Sequence, residues 1–266
     1  MIPNILSIAG SDPSGGAGIQ ADIKSISANG GYAMAVIAAM TAQSTQGVTG
    51  WVPTEPDFIK AQIKAILDDI RVDAIKIGML GTSEIVEAVA DALKDCPAPI
   101  VLDTVMVAKG GDRLLHEDAV KALCTLLLPR ARIITPNLPE ATDLLGEAEA
   151  SSPKEMERQA RALLAMGPHS VFLKGGHLAD AESPDLFLSK DQMEWMPSVR
   201  VETKNTHGTG CTLSSALATH LALKGDELSA AKAAKLYISG AIAAADGLDV
   251  GHGHGPTDHF FAMRTQ

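Results

Sequence analysis

Short apolar runs of strand length alternate with longer runs of helical period along most of the chain, and few folds accept such a pattern. Asn4–Ala9, Met34–Met40, Ala74–Ile77, Ile100–Leu102, Arg132–Thr135 and Ser170–Leu173 read as buried strands. Between them Ile19–Ala28, a stretch near Asp57–Asp69, Ser83–Lys94, Glu117–Leu127 and Lys154–Met166 read as helices. This alternation predicts an α/β fold, a mostly parallel sheet with helices on both faces. Asp185–Ser189 and Gln192–Met196 predict a small antiparallel hairpin, and Cys211–Leu223 and Leu228–Ala245 two closing helices before a Gly/His-rich tail. With no linker and no repeat, residues 1–266 are expected to form one domain.

Ligands of such sheets lie at the carboxyl ends of the strands. The polar and glycine-rich segments fall there: Gly10–Gly18, Thr41–Gln46, Gly78–Leu80, Asp103–Val105, Pro136–Glu140 and Lys174-Gly-Gly-His177. Lys and Arg number 22 against 32 Asp and Glu, a net charge of −10 that argues against nucleic acid and anionic membranes as partners. A phosphate held by so acidic a chain needs a local device. Cys96, Cys124 and Cys211 are too widely spaced for a disulfide framework or a CxxC metal pattern, so a reducing, cytoplasmic setting is expected. The first residues lack a signal-peptide pattern, and no apolar run has the length of a membrane span.

The local device is Asn205–Ser215. Gly208 and Gly210 precede the helical run, forming a glycine-rich turn whose free N–H groups and helix dipole suit a phosphate or oxyanion. Cys211 falls on the first helical turn, where the dipole should lower its thiol pKa. Such a thiol suits nucleophilic catalysis or removal of a proton from an acceptor hydroxyl. The plain alternative is a helix entered through glycine with a small buried cysteine.

Other motifs are weaker. Gly16-Ala-Gly-Ile-Gln-Ala21 fits a dinucleotide fingerprint, but the next strand ends in Met40-Thr41-Ala42 without the acidic residue that would bind a ribose. No Gly-Lys pair occurs, so there is no Walker P-loop. Gln43 offers a donor and an acceptor side by side, suited to an aminopyrimidine edge; otherwise it is a loop glutamine in water. Asp22, one turn into the first helix, reaches the same edge or is simply solvated. Asn137 and Glu140, three apart at a helix start, suit Mg²⁺ through waters or form a capping box. Lys174 leaves a buried strand toward two glycines, as a phosphate contact or a solvated lysine. His252 and His254 lack a third ligand for zinc, and Cys96 and Cys124 read as structural.

Taken together, Ala9–Asp22, Lys76–Leu80, Leu102–Met106, Thr135–Glu140, Lys174–His177, Asn205–Cys211 and Val250–Gly253 resemble the hydroxymethylpyrimidine/phosphomethylpyrimidine kinase family of thiamine biosynthesis, within the ribokinase-like superfamily. The resemblance implies a ribokinase-like three-layer α/β/α sandwich and a homodimer. It also implies two successive ATP-dependent phosphorylations, of hydroxymethylpyrimidine and then of its monophosphate. On that resemblance Gly10, Asp22, Gln43, Met79 and Val105 line the pyrimidine pocket. Lys174 and the Thr206–Gly210 turn, with Thr206 and Thr209, hold ATP phosphates, and Asp103, Asn137 and Glu140 lie around Mg²⁺. Gly208, Gly210 and Cys211 form the catalytic turn; Cys211 stands where the wider superfamily usually has an aspartate base. A pyridoxal kinase on the same fold, a non-catalytic pyrimidine-binding protein, and a cysteine hydrolase using His207 are the competing readings.

Overall fold

The computed structural model describes residues 1–106, 117–176 and 184–264. His177 of the Lys174–His177 motif lies outside them. Nine strands form one sheet in the order β3-β2-β1-β4-β5-β6-β7-β8-β9. Its centre is parallel: β1 (Asn4–Gly10) pairs with β2 (Tyr32–Ser44) and β4 (Ala74–Ile77), followed by β5 (Ile100–Leu102), β6 (Ile133–Ile134) and β7 (Ser170–Leu173). Antiparallel hairpins close both edges, β3 (Gly47–Pro53) against β2, and β8 (Asp185–Ser189) with β9 (Met193–Met196) against β7.

Alternation along each strand divides the core in two. Leu6, Ile8, Ile75, Ile77, Leu102 and Ile134 face a layer of α2 (Pro56–Leu67), α3 (Ser83–Ala92), α4 (Glu117–Ala122), α5 (Leu138–Leu145) and α6 (Pro153–Ala165). Ile5, Ala74, Val101, Ile133 and Phe172 face α1 (Gly18–Ala28), α7 (Thr209–Lys224) and α8 (Glu227–Ala243). A residue shifted by one along a strand changes layer. Ser7 and Lys76 are cross-strand partners of β1 and β4, so they share the face that meets α1 and α7. From Thr212 to Thr219 every residue of α7 is buried, and its small side chains let the helix lie close between sheet and α8.

Two expectations are corrected, and the tail is defined. The second strand does not end at Met40: it continues through Thr41–Ser44 and turns into β3, so Gln43 sits on a strand, at a bulge after Ala42, not in a loop. The polar alternation there reads as loop because that end of the sheet is half-exposed, while backbone pairing to β3 is what holds it. The expected helix Glu117–Leu127 is α-helical only to Ala122, then widens to a π turn at Leu123–Leu127. The Gly/His-rich tail is fixed in place: His254 N donates to Thr45 O at 2.9 Å, Gly255 N to Asn205 Oδ1 at 3.1 Å, and His207 N to Gly255 O at 3.0 Å.

Candidate active site

β1 leads to β2 on one side and the chain crosses to β4 on the other, which opens a crevice at the carboxyl ends of β1 and β4. Under it lies an ion pair that sequence reasoning missed. Lys76 Nζ is 2.9 and 2.8 Å from the two oxygens of Asp22, Ser7 Oγ donates to the same carboxylate at 2.6 Å and Ser215 Oγ at 2.7 Å. All four side chains are fully buried. Burial favours the neutral amine, but Asp22, Cys211 and Asp103 outweigh it and raise the Lys76 pKa, so the ammonium persists. The carboxylate of Asp22, which the resemblance puts at the pyrimidine pocket, has its oxygens held by Lys76, Ser7 and Ser215. A hydrophobic strand of four residues gave no sign that its one lysine pointed inward.

The glycine turn enters α7 through Gly208, whose φ of 73° is left-handed. A Cβ there would strike the Gly16 carbonyl, so two glycine-rich loops touch backbone to backbone and only glycine fits. Thr209 Oγ1 donates to Thr206 O at 2.7 Å and closes the turn. Thr206, Thr209 and Gly210 thus stand together at the positive end of a 16-residue helix. Cys211 follows on the first turn, but its thiol pKa is raised, not lowered. Burial is the largest cause; Asp22 and Asp103 add to it, while Lys76 and the Gly18 N–H oppose it, leaving a value of about 11. Two carboxylates and burial outweigh the half-charge of a helix end.

Beside the turn, Gly210 packs against Lys174 Nζ and Asp103 Oδ2. Lys174 Nζ lies 3.5 Å from Asp103 Oδ1 and 3.9 Å from Glu140 Oε2. Asp103 also accepts from Thr135 Oγ1 at 2.9 Å and Ser214 Oγ at 3.1 Å. Burial would raise its pKa, but Lys174, Lys76 and these hydroxyls hold it below the usual carboxylate range. Glu140 is pushed up to about 7 by burial, with Asp103 adding to the effect against Lys174. Asn137 and Glu140 form a full capping box at the start of α5: Asn137 Oδ1 accepts from Glu140 N at 2.8 Å, and Glu140 Oε2 from Asn137 N at 2.9 Å. Both carboxylates therefore face Lys174 from separate elements.

These oxygens fit Mg²⁺ in one way only. Among the described residues no group of three or more His, Cys, Asp or Glu could cage a metal. Two hard carboxylates, one of them hydrogen-bonded on both oxygens, suit a hydrated ion that arrives with phosphates and keeps its waters.

Toward β2 the pocket residues gather differently. Gly10 N donates to Met79 O at 3.0 Å, and the Met79 methyl lies where a Gly10 side chain would be. Val105 is half-buried two residues beyond Asp103. Gln43 lies beside Thr41 and His207, and His207 Nε2 is 2.7 Å from Asp12 Oδ2. Asp12 is a second residue that sequence reasoning missed, although its place in Gly10–Gly18 marked the loop. It identifies the carboxylate that orients His207. The hydrolase reading gains nothing from it, because the Cys211 thiol pKa is raised to about 11, the opposite of what a thiolate nucleophile needs.

The chain's likenesses agree with this geometry. Residues 12–258 match the family model described as phosphomethylpyrimidine kinase. The hydroxymethylpyrimidine/phosphomethylpyrimidine kinase of Escherichia coli K12 is 50% identical over 260 residues, covering 97% of this chain and 98% of the relative. Among solved structures, an ADP complex of Bacillus subtilis pyridoxal kinase superposes with a TM-score of 0.91 at 35% identity, over 100% of both chains. A phosphomethylpyrimidine kinase from Clostridium difficile 630 superposes with a TM-score of 0.79 at 40% identity, over 89% of this chain and 98% of that one. The two solved structures share the three-layer ribokinase-like fold, and with 50% identity over nearly the whole chain on one side and the turn, lysine and acid pair on the other, this chain belongs to the phosphomethylpyrimidine kinase family.

Proposed function

We propose that the protein transfers the γ-phosphoryl group of ATP to hydroxymethylpyrimidine and then to the resulting monophosphate, on the way to thiamine diphosphate. The observation that carries this reading is the meeting of Lys174, Asp103 and the Gly208–Gly210 turn at one point beside Cys211. Phosphoryl transfer passes through a loose transition state, so catalysis consists mostly of positioning and charge stabilisation. The Thr206–Gly210 turn and Lys174 hold the phosphates, the turn through backbone N–H groups and the lysine through its ammonium. Asp103, Asn137 and Glu140 would hold Mg²⁺ through waters, and the ion would neutralise phosphate charge. Lys174 is already balanced by the acid pair, so it stays charged and aimed before a nucleotide enters.

Cys211 stands at the acceptor. Its thiol is neutral at pH 7 and lines the site as a wall; only its minor thiolate form, which grows as pH rises toward about 11, can take the proton of an acceptor hydroxyl. The second acceptor is an ionised phosphate and needs no base. Gln43 reads the ring edge, with Gly10, Met79 and Val105 around the ring. We take residues 1–266 to be one kinase domain, working as a homodimer in the cytoplasm. Among the described residues no helix is long and apolar enough to cross a membrane.

A pyridoxal kinase activity is the second reading, favoured by the superposition on the Bacillus subtilis enzyme. Shape does not separate the two acceptors, whereas the half-identical Escherichia coli relative carries the pyrimidine name. The test is ADP release with ATP and Mg²⁺, with hydroxymethylpyrimidine, its monophosphate and pyridoxal offered in parallel. Turnover of both pyrimidines supports the proposal. Turnover of pyridoxal alone overturns the acceptor, and no turnover overturns the kinase assignment.

A further inference from the structure

Gln43 lies between two neighbours whose hydrogen-bonding roles are already fixed. Thr41 Oγ1 gives its single hydrogen to Ser11 O at 2.9 Å. Asp12 Oδ2 is 2.7 Å from His207 Nε2, and Asp12 is ionised. Burial alone would raise its pKa, but hydrogen bonds from His207, Ser14 and Ala17 hold it below the usual range. A carboxylate so close requires a hydrogen on Nε2, whether the ring is neutral or charged. Gln43 therefore faces an acceptor at Thr41 and an N–H at His207, each 3.3 Å away.

The two ends of an amide have nearly the same shape, so their partners decide the orientation. With the nitrogen toward His207, N–H meets N–H, and the amide oxygen meets a hydroxyl whose hydrogen is spent. Turned over, the amide oxygen shares the His207 N–H with Asp12, and the amide nitrogen donates to Thr41. Every hydrogen then has an acceptor.

We propose that Asp12 and His207 are positioning residues that pin Gln43 with its oxygen toward His207, and so select an amino-substituted ring edge over the same edge bearing an oxo group. This deepens the pyrimidine-kinase reading and rests on it. A pinned Gln43 keeps one free lone pair and one free N–H in a fixed order. An aminopyrimidine edge presents an exocyclic N–H beside a ring-nitrogen acceptor. The oxo ring, in its N–H form, presents the same two roles reversed. A glutamine free to turn over accepts either order, and a pinned one accepts a single order. The pin itself is rigid: Asp12 is fully buried, Ser14 and Ala17 hold its oxygens, and the His207 ring lies against Gly16 where any side chain would collide with it.

The test compares wild type, His207→Phe and His207→Gln on hydroxymethylpyrimidine and on its analogue with oxo in place of amino. Kinetics and calorimetric binding are both measured. In His207→Phe the amino-over-oxo preference in kcat/KM should fall by about tenfold or more. His207→Gln, which still donates an N–H, should keep most of the preference. An unchanged preference in His207→Phe, or an equal loss in both variants, overturns the proposal. Nitrogen-15 NMR of histidine-labelled, substrate-free protein gives an activity-independent readout: Nε2 of His207 should carry hydrogen, and a bare Nε2 overturns the orientation. A wild type that binds neither ring would bring down the selectivity together with the pyrimidine reading, while the nitrogen signal still decides how Gln43 is held.

Discussion

Lys76 Nζ sits 2.9 and 2.8 Å from the two carboxylate oxygens of Asp22, and neither side chain has any exposed surface. The pair joins β4 to α1, with Ser7 of β1 and Ser215 of α7 bonded to the same carboxylate. Removing one member leaves a charge stranded in the interior. Lys76→Met should therefore cost about 3–5 kcal/mol in urea denaturation, the usual range for breaking a buried pair. Lys76→Met with Asp22→Leu should recover much of that loss. A double variant no more stable than Lys76→Met would mean that the two charges do not act as a unit.

Two left-handed glycines separate conformation from contact. Gly208 and Gly225 cap the two ends of α7 with φ of 73° and 76°. Gly225 has open space around it, whereas Gly208 faces the Gly16 carbonyl. Gly225→Ala should cost about 1 kcal/mol, the backbone penalty alone, with kinetics unchanged. Gly208→Ala should cost more and raise the KM for ATP, because the two loops must part. Equal effects of the two substitutions would remove the phosphate-turn role from Gly208.

Glu140 gives a pH dependence of known sign. Its folded pKa of about 7 lies above the ordinary 4.5, so between these values the folded state holds a proton that the unfolded state has lost. The contribution of Glu140 to stability therefore falls as pH rises from 4.5 to 7 and is flat outside that window. His259, held near 4 by burial, works in the opposite sense between 4 and 6.5, so the raw curve mixes both. The difference between wild type and Glu140→Gln isolates the carboxylate. Glutamine keeps the capping geometry, and the wild type should gain on the variant as pH falls through 7. A flat difference would put the Glu140 pKa back at its ordinary value.

Cys211→Ala should slow phosphorylation of the alcohol by roughly 10- to 100-fold and the second phosphorylation far less. The first acceptor must lose a proton and the second is already ionised. Because the thiol pKa is about 11, the wild-type rate of the first step should rise between pH 7 and 9, and the variant should lose that rise. Equal losses in rapid-quench measurements of the two steps would reduce Cys211 to a wall of the site.

Much of this was legible in the chain. The strands Ala74–Ile77, Ile100–Leu102 and Ser170–Leu173 coincide with their apolar runs because buried parallel strands are mostly hydrophobic. The glycine turn at Gly208–Gly210 announced itself by composition. What stayed hidden depends on tertiary contact. Lys76 looks like any strand lysine until α1 supplies Asp22 from 54 residues away. Asp12 and His207 meet across 195 residues, a separation that no local pattern encodes. The thiol of Cys211 was misjudged because the helix dipole is a local property, while the two carboxylates beside it belong to other segments. Thr41–Ser44 read as loop because polar residues on a sheet edge leave pairing, not burial, as the stabilising force.

The fastening of Gly253, His254 and Gly255 to Thr45 and Asn205 bears on how the molecule comes into being. Asp12 directly follows the first strand, and its partner His207, far along the chain, is itself tied to Gly255. During synthesis the β1–β7 strands can pair before Gly253–Gly255 is made, yet the walls around Gln43 have nothing to close them until that segment emerges. Catalytic competence therefore waits on the emergence of Gly253–Gly255 and not on assembly of the sheet. Cleavage anywhere between Leu248 and Pro256 would return the enzyme to its unfinished condition while leaving most of its body intact.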